Sequence, residues 1–401
     1  MPSSKSIDAT MILRFSSFGP IPAGWIRATR PAPETRQCDE GREMKKFVRT
    51  FSFMVVCGAS VLLLMFQPAA VLPQQTAAVL PQNESASPPF PPPGRLIDVG
   101  GWRLHLNCTG EARASQPTVI LEAGIGDFSV EWSLVQSGVS KFARVCSYDR
   151  AGDGWSDLGP YPRTFHQIVY ELHTLLDKAG AKPPFVLVGH SYGGWLVRLY
   201  ASIYPADVAG MVLVDAGADN PWRMMPDGKL VRSADLATQR PIPAVKVSNP
   251  LRVVDIPPAA LAQMRAGIAG AVKRANEPPR DKLPPDAQRM RTWALAQLGH
   301  IAAAVNPFEN EELAALRAER AKSEHPLGDL PLIVLTRGIS EKEGPDGEAF
   351  AAEHRREHAA LTSMSRNGKL IIATHSGHHI QLDEPDLVIR AIHEVLDAAR
   401  K

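Results

Sequence analysis

From about residue 94 onward the chain alternates short apolar runs with amphipathic stretches. Thr118–Glu122, Ala143–Tyr148, Phe185–Val188, Val208–Val214, Leu332–Leu335 and Leu370–Ala373 each carry an apolar block of strand length. Unbroken blocks of that size mark strands buried on both faces. Arg163–Ala179 sets Ile168, Leu172, Leu175 and Leu176 on one helical face and stops at Gly180; Asp386–Ala399 is a second amphipathic helix, closing the chain. Arg95–Val99 and Trp102–Cys108, joined by Gly100-Gly101, read as a β-hairpin. Strands alternating with helices predict an α/β fold, a mostly parallel sheet covered on both faces. The alternation lapses between Gly217 and Leu330. There Pro258–Asn276, Asp286–Ala303 and Asn310–Glu324 read as helices punctuated by prolines. The expected organisation is a core of residues 94–216 and 331–401, with a helical cap of residues 217–330 inserted after the sixth strand.

The first 93 residues follow other rules. Residues 1–43 show no sustained periodicity and are expected to be disordered, or to be an upstream stretch preceding a true start at Met44. Met44-Lys45-Lys46 opens a basic segment, and the uncharged, mostly apolar run Phe51–Phe66 follows it. Small residues and prolines come next. A basic head, an apolar middle and small residues describe a secretory signal. The run is short of the roughly 20 residues of a comfortable membrane span. Residues 44–78 are therefore expected to be a signal peptide, with an uncleaved anchor, tethering the chain to a membrane through residues 51–66, as the competing reading. Residues 79–93 form a Pro-rich linker that cannot bury a core. The chain is expected to be exported, either periplasmic or secreted.

The remaining composition excludes more than it suggests. The 401 residues carry a net charge of +2, which gives no electrostatic case for nucleic acid as a partner. The four cysteines form no CxxC and no Cys/His cluster of zinc-site spacing, so no metal and no cofactor are expected.

The positive signal lies in Gly189-His190-Ser191-Tyr192-Gly193-Gly194, between the run Phe185–Val188 and the helical stretch Trp195–Tyr204. G-x-S-x-G between a buried strand and a helix lifts a serine hydroxyl off the sheet on a strained turn. Serine is a poor nucleophile at neutral pH and needs a base oriented by an acid. The base is expected after the last strand, where His375, His378 and His379 compete. His378 follows Gly377 and precedes the final helix, and it is preferred; the other two are expected to be exposed loop histidines. Asp215, ending the strand after the serine strand, is the preferred acid. Glu341 competes with it, in a loop whose many charges read as solvated surface. A developing oxyanion would find backbone N–H donors at Tyr192 and at Ile125, between Gly124 and Gly126. Trp132, Trp155, Trp222 and Trp293 fit pocket lining and core packing equally well.

Taken together these residues resemble the α/β-hydrolase superfamily, in particular secreted bacterial serine hydrolases of the esterase and lipase-like type. Four stretches carry the resemblance: Leu121 through Trp132, Tyr148-Asp-Arg-Ala-Gly-Asp-Gly-Trp-Ser-Asp157, the serine turn, and Ser376 through Pro385. The resemblance covers residues 94–400. It implies an eight-stranded, mostly parallel sheet with a cap, and it implies hydrolysis. It also implies that the Tyr148–Asp157 stretch lines the site. The chain departs from the pattern in two places. Ala123-Gly124 stands where the family usually carries His-Gly, and the usual Asp after the seventh strand is missing. Dehalogenases and epoxide hydrolases of this layout use Asp at the turn, whereas Ser191 implies acyl transfer from a small-molecule ester to the serine and then to water. An amidase, a peptidase, a haloperoxidase-like enzyme and a tethered binding protein are the competing readings. In the family topology the second and fourth strands are neighbours, so Cys108 and Cys146 could pair as a disulfide in an exported chain; two buried free cysteines are the alternative.

Overall fold

The computed structural model describes residues 89–400, apart from 114, 226, 228, 257 and 341–343. The expected signal and anchor segment, most of the linker and Glu341 lie outside the described residues. Among the described residues no helix is long and apolar enough to cross a membrane.

The chain opens with β1 (Arg95–Asp98) and β2 (Arg103–Thr109), paired antiparallel. Their turn has Gly100 and Gly101 at φ 140° and 98°, a region closed to most side chains, and the Asp98 carboxylate accepts from both N–H groups at 2.9 and 3.0 Å. Next come β3 (Thr118–Glu122), α1 (Ser133–Val139), β4 (Val145–Tyr148), α2 (Phe165–Lys178), β5 (Phe185–His190), α3 (Tyr192–Ile203) and β6 (Val208–Val214). An insertion follows, with the small hairpin β7 (Trp222–Met224) and β8 (Leu230–Arg232). Its helices are α4 (Ser233–Leu236), α5 (Pro258–Lys273), α6 (Pro285–Leu295), α7 (Leu298–Ala303) and α8 (Glu309–Arg320). The core resumes with β9 (Leu332–Arg337), α9 (Gly344–Thr362), β10 (Gly368–Ala373), α10 (Ile380–Asp383) and α11 (Pro385–Ala398).

Eight strands form one sheet in the order β1-β2-β4-β3-β5-β6-β9-β10. All neighbours from β4 to β10 run parallel. The apolar blocks are continuous because each strand feeds two cores. Val119, Leu121, Val186, Val188, Val212 and Val214 pack with Val135 and Val139 of α1 and with Ile392, Val395 and Leu396 of α11. The alternate positions Ile120, Leu187, Met211 and Leu213 pack with Leu172 and Leu176 of α2 and with Leu196 and Val197 of α3. A period of two with both faces buried leaves no polar phase to see.

Four helices go beyond the apolar pattern, α1, α9 and the single turns α4 and α10, and the expected helix Asp286–Ala303 is broken into α6 and α7. Cys108 and Cys146 are register partners on β2 and β4 and are joined as a disulfide. The insertion is tied to the core by charge as well as by apolar contact. Glu312 of α8 accepts from the Phe165 and His166 N–H groups at 2.7 and 3.1 Å, supplementing the Thr164 cap of α2.

Candidate active site

Strand β5 ends at His190, and the chain reverses at once into α3. Ser191 makes that turn with φ 52° and ψ −117°, a conformation that costs energy in any L-residue and persists only where the surroundings impose it. The surroundings here are glycines. A Cβ on Gly189 would lie 2.6 Å from the Gly193 carbonyl oxygen, and one on Gly193 would lie 2.6 Å from the Glu122 carbonyl oxygen. The first turn of α3 therefore packs directly on the end of β3. Tyr192 is the first residue of α3, so its N–H has no intrahelical acceptor and faces the serine end of the helix dipole.

Ser191, His378 and Asp215 are brought together in one line. His378 Nε2 lies 2.9 Å from Ser191 Oγ, and its Nδ1 lies 2.6 Å from Asp215 Oδ2. Asp215 is a second non-glycine residue at positive φ, 39°, and its side chain is wholly buried. Four donors converge on its carboxylate. Arg337 N–H and Nη1 donate at 3.0 Å each, and His354 Nε2 donates to Oδ1 at 2.8 Å, beside His378. Burial alone would raise the Asp215 pKa. The Arg337 guanidinium and the two imidazole hydrogen bonds outweigh burial and hold it well below the usual carboxylate range. An ionised carboxylate only accepts, so the His378 proton belongs on Nδ1, and Nε2 is left as acceptor for the serine hydroxyl.

His190 shapes the loop that carries His378. Its Nε2–H donates to the His378 carbonyl at 3.0 Å, and Gln381 donates to its Nδ1 at 3.3 Å. Burial, aided by the neighbouring His378, lowers the His190 pKa to about 3, so the ring stays neutral and keeps this tautomer.

Ile125 sits on the turn after β3, whose Glu122 is in register with Gly189 of the serine strand. Arg150 fixes that turn. Its guanidinium donates to the carbonyls of Ala123, Gly124 and Asp127 at 2.7, 2.5 and 3.1 Å and to Glu122 Oε1 at 2.8 Å. Tying those carbonyls back on Arg150 fixes the peptide planes of the turn that carries the Ile125 N–H. The expectation that Tyr148–Asp157 lines the site needs correction. Tyr148, Asp149 and Arg150 are buried and act as a brace: Tyr148 donates to Glu122, and Asp149 accepts from Ser129 N and Trp155 N at 2.9 and 3.0 Å. His375 is exposed, as expected, but His379 is not. It is buried against Arg280 of the insertion, whose Nη2 lies 2.9 Å from its Nε2. Its neutral state follows, since burial and then Arg280 push its pKa well down.

A further ionic cluster joins the insertion to the Ile125 turn. Asp127 accepts from Arg280 at 3.0 Å and from Arg291 of α6 at 3.2 Å, and Glu131 pairs with Arg291. Burial raises Glu131 to about 7, against the pull of Arg291; Arg280 and Arg291 hold Asp127 well below its ordinary value despite burial. Of the tryptophans, Trp132 is core, Trp155 packs at a tilt against Trp293 with centroids 5.5 Å apart, and Trp222 is covered by the Arg232 guanidinium at 3.9 Å.

Arg337, His354, His358 and His190 join the site without having been expected there. His190 was visible inside the serine motif. The other three lie on β9 and α9, and their signal is faint: His354 and His358 are four apart, on one helix face.

Comparison with known proteins agrees with this architecture. The profile described as the Alpha/beta hydrolase family matches residues 119–391. An AB hydrolase superfamily protein of Gibberella zeae is 24% identical over 327 residues, covering 74% of this chain and 92% of its own. A probable transporter of Hormonema carpetanum is 36% identical over 136 residues, but the match spans 33% of this chain and only 20% of that protein. Among solved structures, the enol-lactonase of Burkholderia xenovorans superposes with a TM-score of 0.51 at 18% identity, covering 76% of this chain and all 100% of its own. That likeness concerns the fold.

Proposed function

The chain belongs to the alpha/beta hydrolase family, and from that membership we propose that it is a serine hydrolase of carboxylic esters working through an acyl-enzyme. One observation carries the reading. Ser191 Oγ, His378 and the buried Asp215 form a continuous relay, with contacts of 2.9 and 2.6 Å, at the strained turn of a strand–helix elbow.

The chemistry follows from the geometry. Ser191 Oγ attacks the ester carbonyl while His378 Nε2 takes its proton. Asp215 keeps the proton on Nδ1 and stabilises the imidazolium that forms. The carbonyl oxygen becomes an anion, and the N–H groups of Tyr192 and Ile125 donate to it. Collapse expels the alkoxide, which receives the proton from His378. Water, activated by the same imidazole, then releases the acid and restores the serine. Esters fit better than amides, because an alkoxide asks less of the general acid than an amine does.

The test is hydrolysis of short and medium p-nitrophenyl esters by the wild type, Ser191→Ala and His378→Ala, with labelling by a serine-directed phosphonate. Ester turnover and labelling in the wild type, lost in Ser191→Ala and with turnover lost in His378→Ala, is the expected result. A wild type that neither turns over any ester nor takes the label would overturn the reading and favour a binding protein.

A further inference from the structure

The Asp215 carboxylate faces more histidine than a triad needs. His354 and His358 project from one face of α9 with ring centroids 4.0 Å apart. His354 Nε2 reaches Asp215 Oδ1 at 2.8 Å, and His358 Nδ1 lies 3.8 Å from the same oxygen. All three ligand atoms lie within 4.8 Å of one another. The tautomer of His358 is set from outside. Its Nε2–H donates to the Ala216 carbonyl at 2.9 Å, which leaves Nδ1 with a bare lone pair. That side chain is wholly buried, and Nδ1 has no hydrogen-bond partner. A lone pair aimed at a carboxylate from 3.8 Å is unfavourable unless a cation or proton stands between them.

We propose that Asp215 Oδ1, His354 Nε2 and His358 Nδ1 form a binding site for a divalent transition-metal ion of the zinc class, and that occupancy suppresses hydrolysis at Ser191. The donor set is two imidazoles and one carboxylate, which suits zinc, cobalt or copper rather than calcium or magnesium. The carbonyl behind His358 Nε2–H is the partner that orients a metal-binding imidazole. Arg337 already balances the Asp215 charge, so the imidazoles must supply much of the affinity. Binding needs no net loss of a proton. The His354 proton that now sits on Nε2 moves to Nδ1, and that side chain is 15% exposed.

Suppression follows from what the ion does to Asp215. It replaces the His354 hydrogen bond on Oδ1 and draws electron density from Oδ2, the oxygen that faces His378. The imidazolium formed when Ser191 gives up its proton is then less stabilised. Complete loss of such an acid costs about ten-thousand-fold in rate, which bounds the effect from above. A fall of at least about tenfold on saturation is expected on the same scale. This second half rests on the esterase reading; the binding does not.

The binding is therefore measured on full-length Ser191→Ala, by titration with zinc chloride followed calorimetrically and with cobalt chloride followed by visible absorption. One saturable equivalent is expected, retained in His378→Gln and lost in both His354→Gln and His358→Gln. No saturable equivalent, loss of binding in His378→Gln, or binding that survives both α9 variants would overturn the site. Should an α9 variant fail to fold, copper(II) paramagnetic resonance on the Ser191→Ala protein decides. Two coordinated nitrogens support the site, and fewer than two overturn it. In the wild type, ester turnover should fall in step with zinc occupancy and return with a chelator, and the residual turnover of His358→Gln should ignore zinc. Zinc bound with turnover unchanged would overturn the suppression while leaving the site.

Discussion

Asp215→Asn is the sharpest single perturbation of this site. The carboxylate accepts from four donors, and an asparagine offers one carbonyl oxygen and one amide that donates. If the amide nitrogen takes the Oδ2 place, it opposes Arg337 Nη1 and drives His378 to the wrong tautomer, with its proton on Nε2. If it takes the Oδ1 place, it opposes the Arg337 backbone N–H, whose position is fixed at the end of β9. His354 can escape by changing tautomer; Arg337 cannot, having only donors. Both orientations therefore leave a donor facing a donor at the buried end of β9. Loss of the oriented imidazole should lower kcat/KM about ten-thousand-fold, or about 5 kcal/mol of transition-state stabilisation. Removal of one partner from the buried pair should lower unfolding stability by about 3 to 5 kcal/mol. The assays are p-nitrophenyl ester kinetics, normalised to the concentration of folded protein, and thermal unfolding of the same samples. Folded Asp215→Asn protein with kcat/KM within tenfold of the wild type would refute the reasoning. A large loss in Glu341→Gln alongside it would transfer the acid to that residue.

Two further outcomes bear on the scaffold. Burial raises Glu131 to about 7 in the folded state, against an ordinary 4.5, so between those values the folded chain holds a proton that the unfolded chain has released. Stability is then highest at the acid end of that window and is lost as pH rises through about 7, by at most about 3 kcal/mol. Asp127, held below its ordinary value, is ionised in both states across this window and adds no slope. Glu131→Gln should flatten the fall in melting temperature between pH 5 and 8, and an unchanged slope would remove Glu131 as its source. The Cys108–Cys146 bond spans a sequence separation of 38, so breaking it restores loop entropy worth about 4 kcal/mol to the unfolded chain. Cys108→Ser and Cys146→Ser should each unfold at lower denaturant than the wild type, and a reductant should move the wild type alone towards them.

What could be read in the chain was whatever a local pattern encodes. The serine turn is six contiguous residues, and the strands announce themselves because two cores make them apolar throughout. His378 stood out from its neighbours through Gly377 and the helix behind it. The role of His379 was misjudged because it depends on Arg280, a contact across 99 positions that no local rule reports. The same holds for the pairing of Arg291 with Glu131, 160 positions away. Helix α9 escaped for a different reason. Its inward positions include Gly347, His354, His358 and Leu361, so the buried stripe has helical spacing but little apolar character. A charged surface loop was the natural reading of such a stretch. The polar stripe is polar because it faces the Asp215 carboxylate.

The position of the acid follows from the register of the sheet. His190 of β5 pairs with Val214 of β6, so the next residues on each strand, Ser191 and Asp215, leave the sheet side by side. The ladder continues past them: Ser191 N–H donates to the Val214 carbonyl at 3.1 Å, and Asp215 N–H to the Leu335 carbonyl at 2.9 Å. Arg337 is the next step outward, its N–H on Asp215 Oδ1, and it pairs in turn with Ala373 of β10, five residues before His378. The carboxyl ends of four adjacent parallel strands thus deliver the serine, the acid, the guanidinium and the histidine in order, the arrangement expected for a site in an open α/β sheet. Ser191 and Asp215, each at positive φ, stand at the two inner exits, where a side chain must turn towards its neighbour rather than continue along the strand. A carboxylate placed after β9 would enter this line from one strand further out, on the side that Arg337 occupies. The placement of Asp215 and the presence of Arg337, His354 and His358 are therefore one structural fact: the carboxylate leaves the sheet one strand inside β9, and cationic and imidazole groups fill the space around it.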